Sequence, residues 1–231
     1  MAPERGRVAC VMQARMTSSR LPGKVLMEIG GRPAIQLQLE RLAQAVELDE
    51  ILVATSVEPS DDPVAELAAR AGARAVRGPL HDVLERYRRA GADSGADAIV
   101  RVTGDCPLID PRVVDLVVER WRTTRAYYAT NREEPRTYPV GMDTEVVSRP
   151  VLETAAREAT DPYDREHVTP FVIARPDRFP AESVVLEPSL GHLRLTLDTP
   201  EDLELLRAVA GRVGDPVTAA LPELAAVAES L

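Results

Sequence analysis

VACVMQARMTSSRLPGK, residues 8–24, is the stretch on which the reading of this chain turns. Val8 to Met12 form a short apolar run that stops at Gln13, which predicts a buried strand rather than a helix. The twelve residues that follow, QARMTSSRLPGK, form a loop rich in cationic and hydroxyl groups: Arg15, Ser18, Ser19, Arg20 and Lys24. Gly23 lets the backbone of this loop approach a ligand closely. Lys24 is the sole lysine among 28 basic residues, in a chain that otherwise uses arginine. An ammonium is a compact point charge on a flexible stem, whereas a guanidinium is a planar fork. A group that follows a phosphate oxygen as charge builds on it suits the first description.

Outward from this stretch, the same rhythm repeats. ILVAT (51–55), ARAVRG (73–78) and AIVRVTG (98–104) read as further strands. Amphipathic segments lie between them: Pro33–Ala45 with Ile35, Leu39 and Leu42 on one face, a helix opening at Asp61-Asp62-Pro63, and DVLERYRRA. Asp110 caps a helix that begins at Pro111. This βαβα order predicts an α/β fold with a mostly parallel, doubly wound sheet. In such a sheet ligands bind beyond the carboxyl ends of the strands, where the loop at 13–24 lies.

The rhythm breaks after YYATN (127–131), and REEPRTYPVGMDTEVVS reads as an irregular arm or hairpin. Helices are expected at about 149–160 and 164–174, LRLTLD (193–198) as a returning strand, and a helix capped by Thr199 and Asp202. The expectation is one domain over 1–231, with an inserted lobe at about 132–175.

Composition narrows the function classes. The net charge of −9 and 3% aromatic content argue against nucleic acid or anionic membrane as a partner. No apolar run approaches the roughly 18 residues of a membrane span. MAPERGRVACVMQAR does not read as a signal peptide, and Cys10 and Cys106 stand in no metal or disulfide spacing. A cytoplasmic protein is the expectation. The loop matches neither G-x-G-x-x-G nor a Walker A sequence, so neither a dinucleotide fold nor a P-loop is implied.

QARMTSSRLPGKVLMEIGGRPAI resembles the opening of the cytidylyltransferases that activate acidic sugars as CMP derivatives, the acylneuraminate and 3-deoxy-manno-octulosonate types. RGPLHDVLERY (77–87), RVTGDCPLIDP (101–111), RTYPVGMDTEV (136–146), DREHVTPF (164–171) and LTLDTPEDLEL (195–205) extend the resemblance, most closely to the branch named for spore coat polysaccharide biosynthesis protein F. The resemblance implies a nucleotide-diphospho-sugar transferase type of sheet and transfer of CMP from CTP to a small anionic acceptor. It implies that Ala14, Arg15, Ser18, Arg20 and Lys24 hold the triphosphate, with Gly78 and Asp82 at the nucleoside. Arg15, Lys24 and Asp105 become the candidate catalytic groups, and Asp105 and Asp198 the candidate ligands of Mg²⁺. Read alone, each aspartate is better explained as a turn or helix-start residue, and it is the pair at matching strand ends, in segments the resemblance covers, that favours the metal. Tyr138, Asp143, Glu145, Arg165 and His167 become candidates for the acceptor, with Arg165 gripping a carboxylate. Analogy also implies a homodimer joined through residues 132–146. One departure is visible, since sialic-acid-activating relatives often carry an aspartate where this chain has Thr196. A glycosyltransferase remains the alternative, although the Asp-x-Asp triplet expected after the fourth strand is missing, with Asp143-Thr144-Glu145 its nearest substitute. A nucleotide-binding subunit with a degenerate site is the third reading.

Overall fold

In the computed structural model, residues 6–231 are described; residues 1–5, part of the stretch read above for a leader, lie outside them. The strand at the head of the quoted stretch, β1 (Val8–Gln13), is central and buried along nearly its whole length. Val8, Cys10 and Met12 point into one apolar layer, Ala9 and Val11 into the other. A strand covered on both faces needs apolar residues in consecutive positions, which is why VACVM shows no alternation.

A small hairpin of β2 (Glu28–Ile29) and β3 (Arg32–Pro33) leads into α1 (Ala34–Leu42). Then come β4 (Glu50–Ser56), α2 (Asp62–Arg70), β5 (Arg74–Gly78), α3 (Val83–Ser94), β6 (Ala98–Thr103) and α4 (Pro111–Thr124). The second half adds β7 (Tyr128–Thr130), β8 (Glu145–Ser148), α5 (Arg149–Glu158), α6 (Pro162–His167), α7 (Pro170–Ile173) and β9 (Ala181–Ser183). Helices α8 (Pro200–Arg212) and α9 (Leu221–Glu229) close the described chain.

The main sheet runs β5-β4-β1-β6-β8-β7-β9, and β8 alone is antiparallel to its neighbours. Helices α1, α2 and α4 pack on one face; α3 and α5 cover the other. From β1 the chain builds outward first through β4 and β5, then returns to place β6 on the opposite side of β1. The crevice at this switch lies beyond Gln13 and Thr103, the final residues of β1 and β6. Gly104 is needed there. Its N–H donates to the Gln13 carbonyl at 2.8 Å, and a Cβ would stand 2.9 Å from the same oxygen. Behind the crevice a third apolar cluster joins Leu195, Leu197 and helices α8 and α9.

Two expectations are corrected. LRLTLD forms no strand; it makes a single bridge from Arg194 to Val140, and its Leu197 N–H reaches the Asp105 carbonyl at 2.8 Å. The edge of β6 that such a strand would pair with is taken by β8. Gly141 permits this close passage, because at φ +107° its missing Cβ would sit 2.4 Å from the Leu195 oxygen. The helix expected at 164–174 is two helices, since Pro170 has no N–H to continue the first and Val168 turns to φ +74°. The first of them is capped by Asp161, whose side chain accepts from Tyr163 N at 2.8 Å.

Candidate active site

Beyond β1 and β6 opens a cavity of about 320 Å³ lined by Ala14, Arg15, Ser18, Arg20 and Lys24 from the loop and by Asp105, His167 and Asp198 from elsewhere. The loop is fixed from below. Asp61, fully buried, accepts from Met16 N at 2.7 Å and from the backbone and hydroxyl of Ser56. Its carboxylate thus anchors the loop, a role its place at a helix start did not disclose. Ser18 Oγ accepts from Leu21 N and shapes the turn before Lys24.

Lys24 is the centre of the arrangement. Its Nζ donates to Asp105 Oδ2 at 2.9 Å and to Asp198 Oδ1 at 2.8 Å, with its side chain 12% exposed. Burial alone would lower the pKa of this ammonium; the two carboxylates outweigh it and hold the value above its usual range. Asp198 is drawn below the usual carboxylate range, burial opposing and Lys24, Arg194 and Arg20 prevailing. Arg20, largely exposed, touches Asp198 at 2.9 Å, and Arg15 lies 3.3 Å from Glu166. Asp198 is set by its surroundings: its own N–H donates to Asp202, the same residue that completes the capping box with Thr199. Thr196 donates its hydroxyl to the Asp105 carbonyl, so at the position of the relatives' second aspartate it fastens one metal candidate's backbone.

A second cavity, of about 440 Å³, adjoins the first through Arg101, Thr103 and His167, which line both. Arg132, Asp143, Tyr163, Thr169 and Ile173 complete much of its wall. Glu145 lies behind that wall with no exposure. It accepts from Tyr128 Oη at 2.6 Å and Thr169 Oγ1 at 2.8 Å, and pairs with Arg101 and with Arg132 at 3.2 Å. Burial pushes its pKa up, but the two arginines and the hydroxyls hold it below the usual range.

Five predicted residues line neither cavity. Tyr138 is packed with Leu108, Met142 and Leu195 in the C-terminal cluster, and Glu145 is reachable only through its arginines. Arg165 donates Nε and Nη2 to Asp82 at 2.9 and 2.6 Å, and neither residue lines the two cavities. Asp82 also caps α3 through Glu85 N. Gly78 ends β5 beneath the Arg86 side chain, where a Cβ would meet Cγ at 2.9 Å. The sequence reading missed Arg86, Arg101 and Arg132. For Arg101 a signal existed, namely a charge inside the otherwise apolar strand AIVRVT.

A family model described as cytidylyltransferase matches residues 9–210. The chain belongs to the cytidylyltransferase family. A cytidylyltransferase structure from Leptospira borgpetersenii is 33% identical, superposes with a TM-score of 0.92 and shares 97% of this chain and 94% of its own. The 3-deoxy-manno-octulosonate cytidylyltransferase of Cellvibrio japonicus is 30% identical, covering 87% of this chain and 84% of the relative. Spore coat polysaccharide biosynthesis protein SpsF of Bacillus subtilis is 29% identical over 93% of this chain and 90% of its own. This cytidylyltransferase is therefore a nucleotidyltransferase built on the nucleotide-sugar transferase fold.

Proposed function

We propose that this cytidylyltransferase transfers CMP from CTP to an acidic sugar or a related small anionic acceptor and releases pyrophosphate. An acceptor hydroxyl oxygen forms a bond to the α-phosphorus, the bond from that phosphorus to the bridging oxygen of the β-phosphate breaks, and the hydroxyl proton is released. The observation that carries this reading is Lys24, held between Asp105 and Asp198 at the sheet's switch point among Arg15, Ser18 and Arg20. Lys24, Arg15 and Arg20 would neutralise the triphosphate and the departing pyrophosphate, so that the fold supplies positioning and charge.

The donor set also fits Mg²⁺. Two carboxylate oxygens already converge on one cationic atom, and Cys106, the nearest thiol, is buried and held protonated by that burial. Among the described residues no group of three or more His, Cys, Asp or Glu converges as a metal site, so phosphate oxygens and water would complete the shell of Asp105 and Asp198. Bound there, Mg²⁺ would withdraw charge from the phosphate being attacked. The glycosyltransferase alternative loses its substitute triplet: Asp143 is gripped by Arg136 at 2.7 and 3.0 Å, and Glu145 is buried. No described helix is long and apolar enough to cross a membrane, and we place the enzyme in the cytoplasm as a homodimer by analogy with its relatives.

Thermal melts with CTP, UTP, GTP and ATP, each with and without Mg²⁺, test the reading. Bound ligand adds about 2.7 kcal/mol at a hundredfold excess over its dissociation constant. A Mg²⁺-dependent shift selective for CTP and absent in Lys24→Ala is expected. Equal shifts for all four nucleotides, or none, would sink it.

A further inference from the structure

We propose that Lys24 keeps a divalent ion out of the nucleotide-free enzyme and admits it only together with a triphosphate, by standing between Asp105 and Asp198 until phosphate oxygens draw it away. The role rests on the transfer reading above and names the residue that makes nucleotide and ion bind as one.

The geometry of the two carboxylates carries it. Lys24 Nζ lies 2.9 Å from Asp105 Oδ2 and 2.8 Å from Asp198 Oδ1, so the ammonium fills the point on which those oxygens converge. Asp198 Oδ1 also pairs with Arg20 at 2.9 Å, and its Oδ2 accepts from Arg194 at 3.0 Å. A magnesium ion takes oxygen ligands at about 2.0–2.1 Å in a near-ideal octahedron. It cannot share that point with an ammonium held by the same two atoms.

Charge closes the site further. Lys24, Arg20 and Arg194 stand against Asp105, Asp198 and Asp202, three cations against three anions, so the cluster is already balanced. Arg86 lines the same cavity and donates to the Pro79 and Leu80 carbonyls, which bring no opposing charge. A dication entering alone would leave two positive charges unanswered beside side chains that are at most 25% exposed. A triphosphate brings about four negative charges at neutral pH. With those beside the loop, the lysine and the ion both find partners.

Lys24 can make this exchange without moving its backbone. Its N–H donates to the Leu21 carbonyl at 3.2 Å, its own carbonyl accepts from Met27 N at 3.1 Å, and the neighbouring Val25 is buried, so the main chain is pinned. The four-carbon stem is then the part free to swing, and the cavity beside it gives it room. A guanidinium, planar and with its donors fixed in a fork, lacks that freedom. The sole lysine of the chain thus stands where a single charge is handed from carboxylates to phosphates.

Two measurements on the full chain test the role, and neither reads turnover. In the first, Mn²⁺ replaces Mg²⁺ and is titrated without nucleotide, its free concentration followed by electron paramagnetic resonance. Lys24→Met should bind the ion about tenfold or more tightly than the unaltered chain, within the usual range of coupling between sites. Adding Asp198→Asn should remove that gain. The second measurement needs no substitution, because isotope-labelled lysine gives a single side-chain ammonium signal in this chain. Millimolar Mg²⁺ alone should leave that signal in place, whereas a CTP analogue with methylene between the α- and β-phosphates should move it. Equal Mn²⁺ affinity with and without the lysine, a gain that survives Asp198→Asn, or a signal displaced by Mg²⁺ alone would overturn the role. Should the analogue leave the signal unmoved while Lys24→Met still binds Mn²⁺ more tightly, the transfer reading falls and the exclusion of the ion by Lys24 stands.

Discussion

The two adjoining cavities handle charge in opposite ways. In the first, the cations lie on a loop, and Arg15 and Arg20 are substantially exposed while Lys24 sits on a flexible stem. Every one of them is paired with a carboxylate that can be exchanged for another partner. In the second, Arg101 and Glu145 are locked in the core, and the Nε atoms of Arg101 and Arg132 are buried without a hydrogen-bond partner. Cations on an exposed loop can exchange partners, whereas a charge pair closed into the core cannot. The difference teaches that burial, not the number of charges, decides whether a pair can open.

The contrast can be broken most directly at Glu145. Glu145→Ala leaves the buried Arg101 without its carboxylate and beside the half-buried Arg132, and a stability loss of about 3–5 kcal/mol is expected in urea unfolding. Asp105→Asn, by contrast, should leave the melting temperature nearly unchanged while pyrophosphate release collapses. Equal destabilisation by both would erase the distinction. Next in size is Lys24→Ala, for which a loss of about 10²–10³ in turnover is expected, the scale of removing one preorganised donor from a developing charge. Steady-state release of pyrophosphate measures it, and Lys24→Arg should restore little, because the fork does not fit between two converging carboxylates.

The pH dependence separates the regions again. Glu145 has a folded pKa below its usual 4.5, so its contribution is complete above that value and is lost as the pH falls through the folded one. Melting curves from pH 6 to pH 3 should show an acid-side decline that is shallower in Glu145→Gln. The smallest effect belongs to Arg20→Ala. Its exposed pair with Asp198 contributes at most about 1 kcal/mol, so a several-fold rise in KM for CTP is expected with the fold unaltered.

Much of the architecture was legible because apolar runs and capping residues are local signals. The order of β1, β4, β5 and β6, the caps at Asp110 and Thr199, and the cationic loop all lie where the sequence puts them. LRLTLD misled because its alternation is that of a strand, while its hydrogen bonds go to Val140 and Asp105 across the crevice. Charge pairing was illegible for a different reason. Arg165 and Asp82 are 83 positions apart, and Arg101 and Glu145 are 44 apart, so composition discloses the charges but not their partners. The tie of Lys24 to both aspartates, 81 and 174 positions away, is of the same kind.

Val168 carries a consequence of its own. A β-branched residue at φ +74° stores strain of about 1–3 kcal/mol, and it persists here because the Val168 side chain is buried and Thr169 is tied to Glu145. That single kink sends His167 to the cavities and Thr169 to the core. It joins the rigid interior to the wall of the site, with Val168 the one residue between the histidine that lines the cavities and the threonine held by the buried carboxylate.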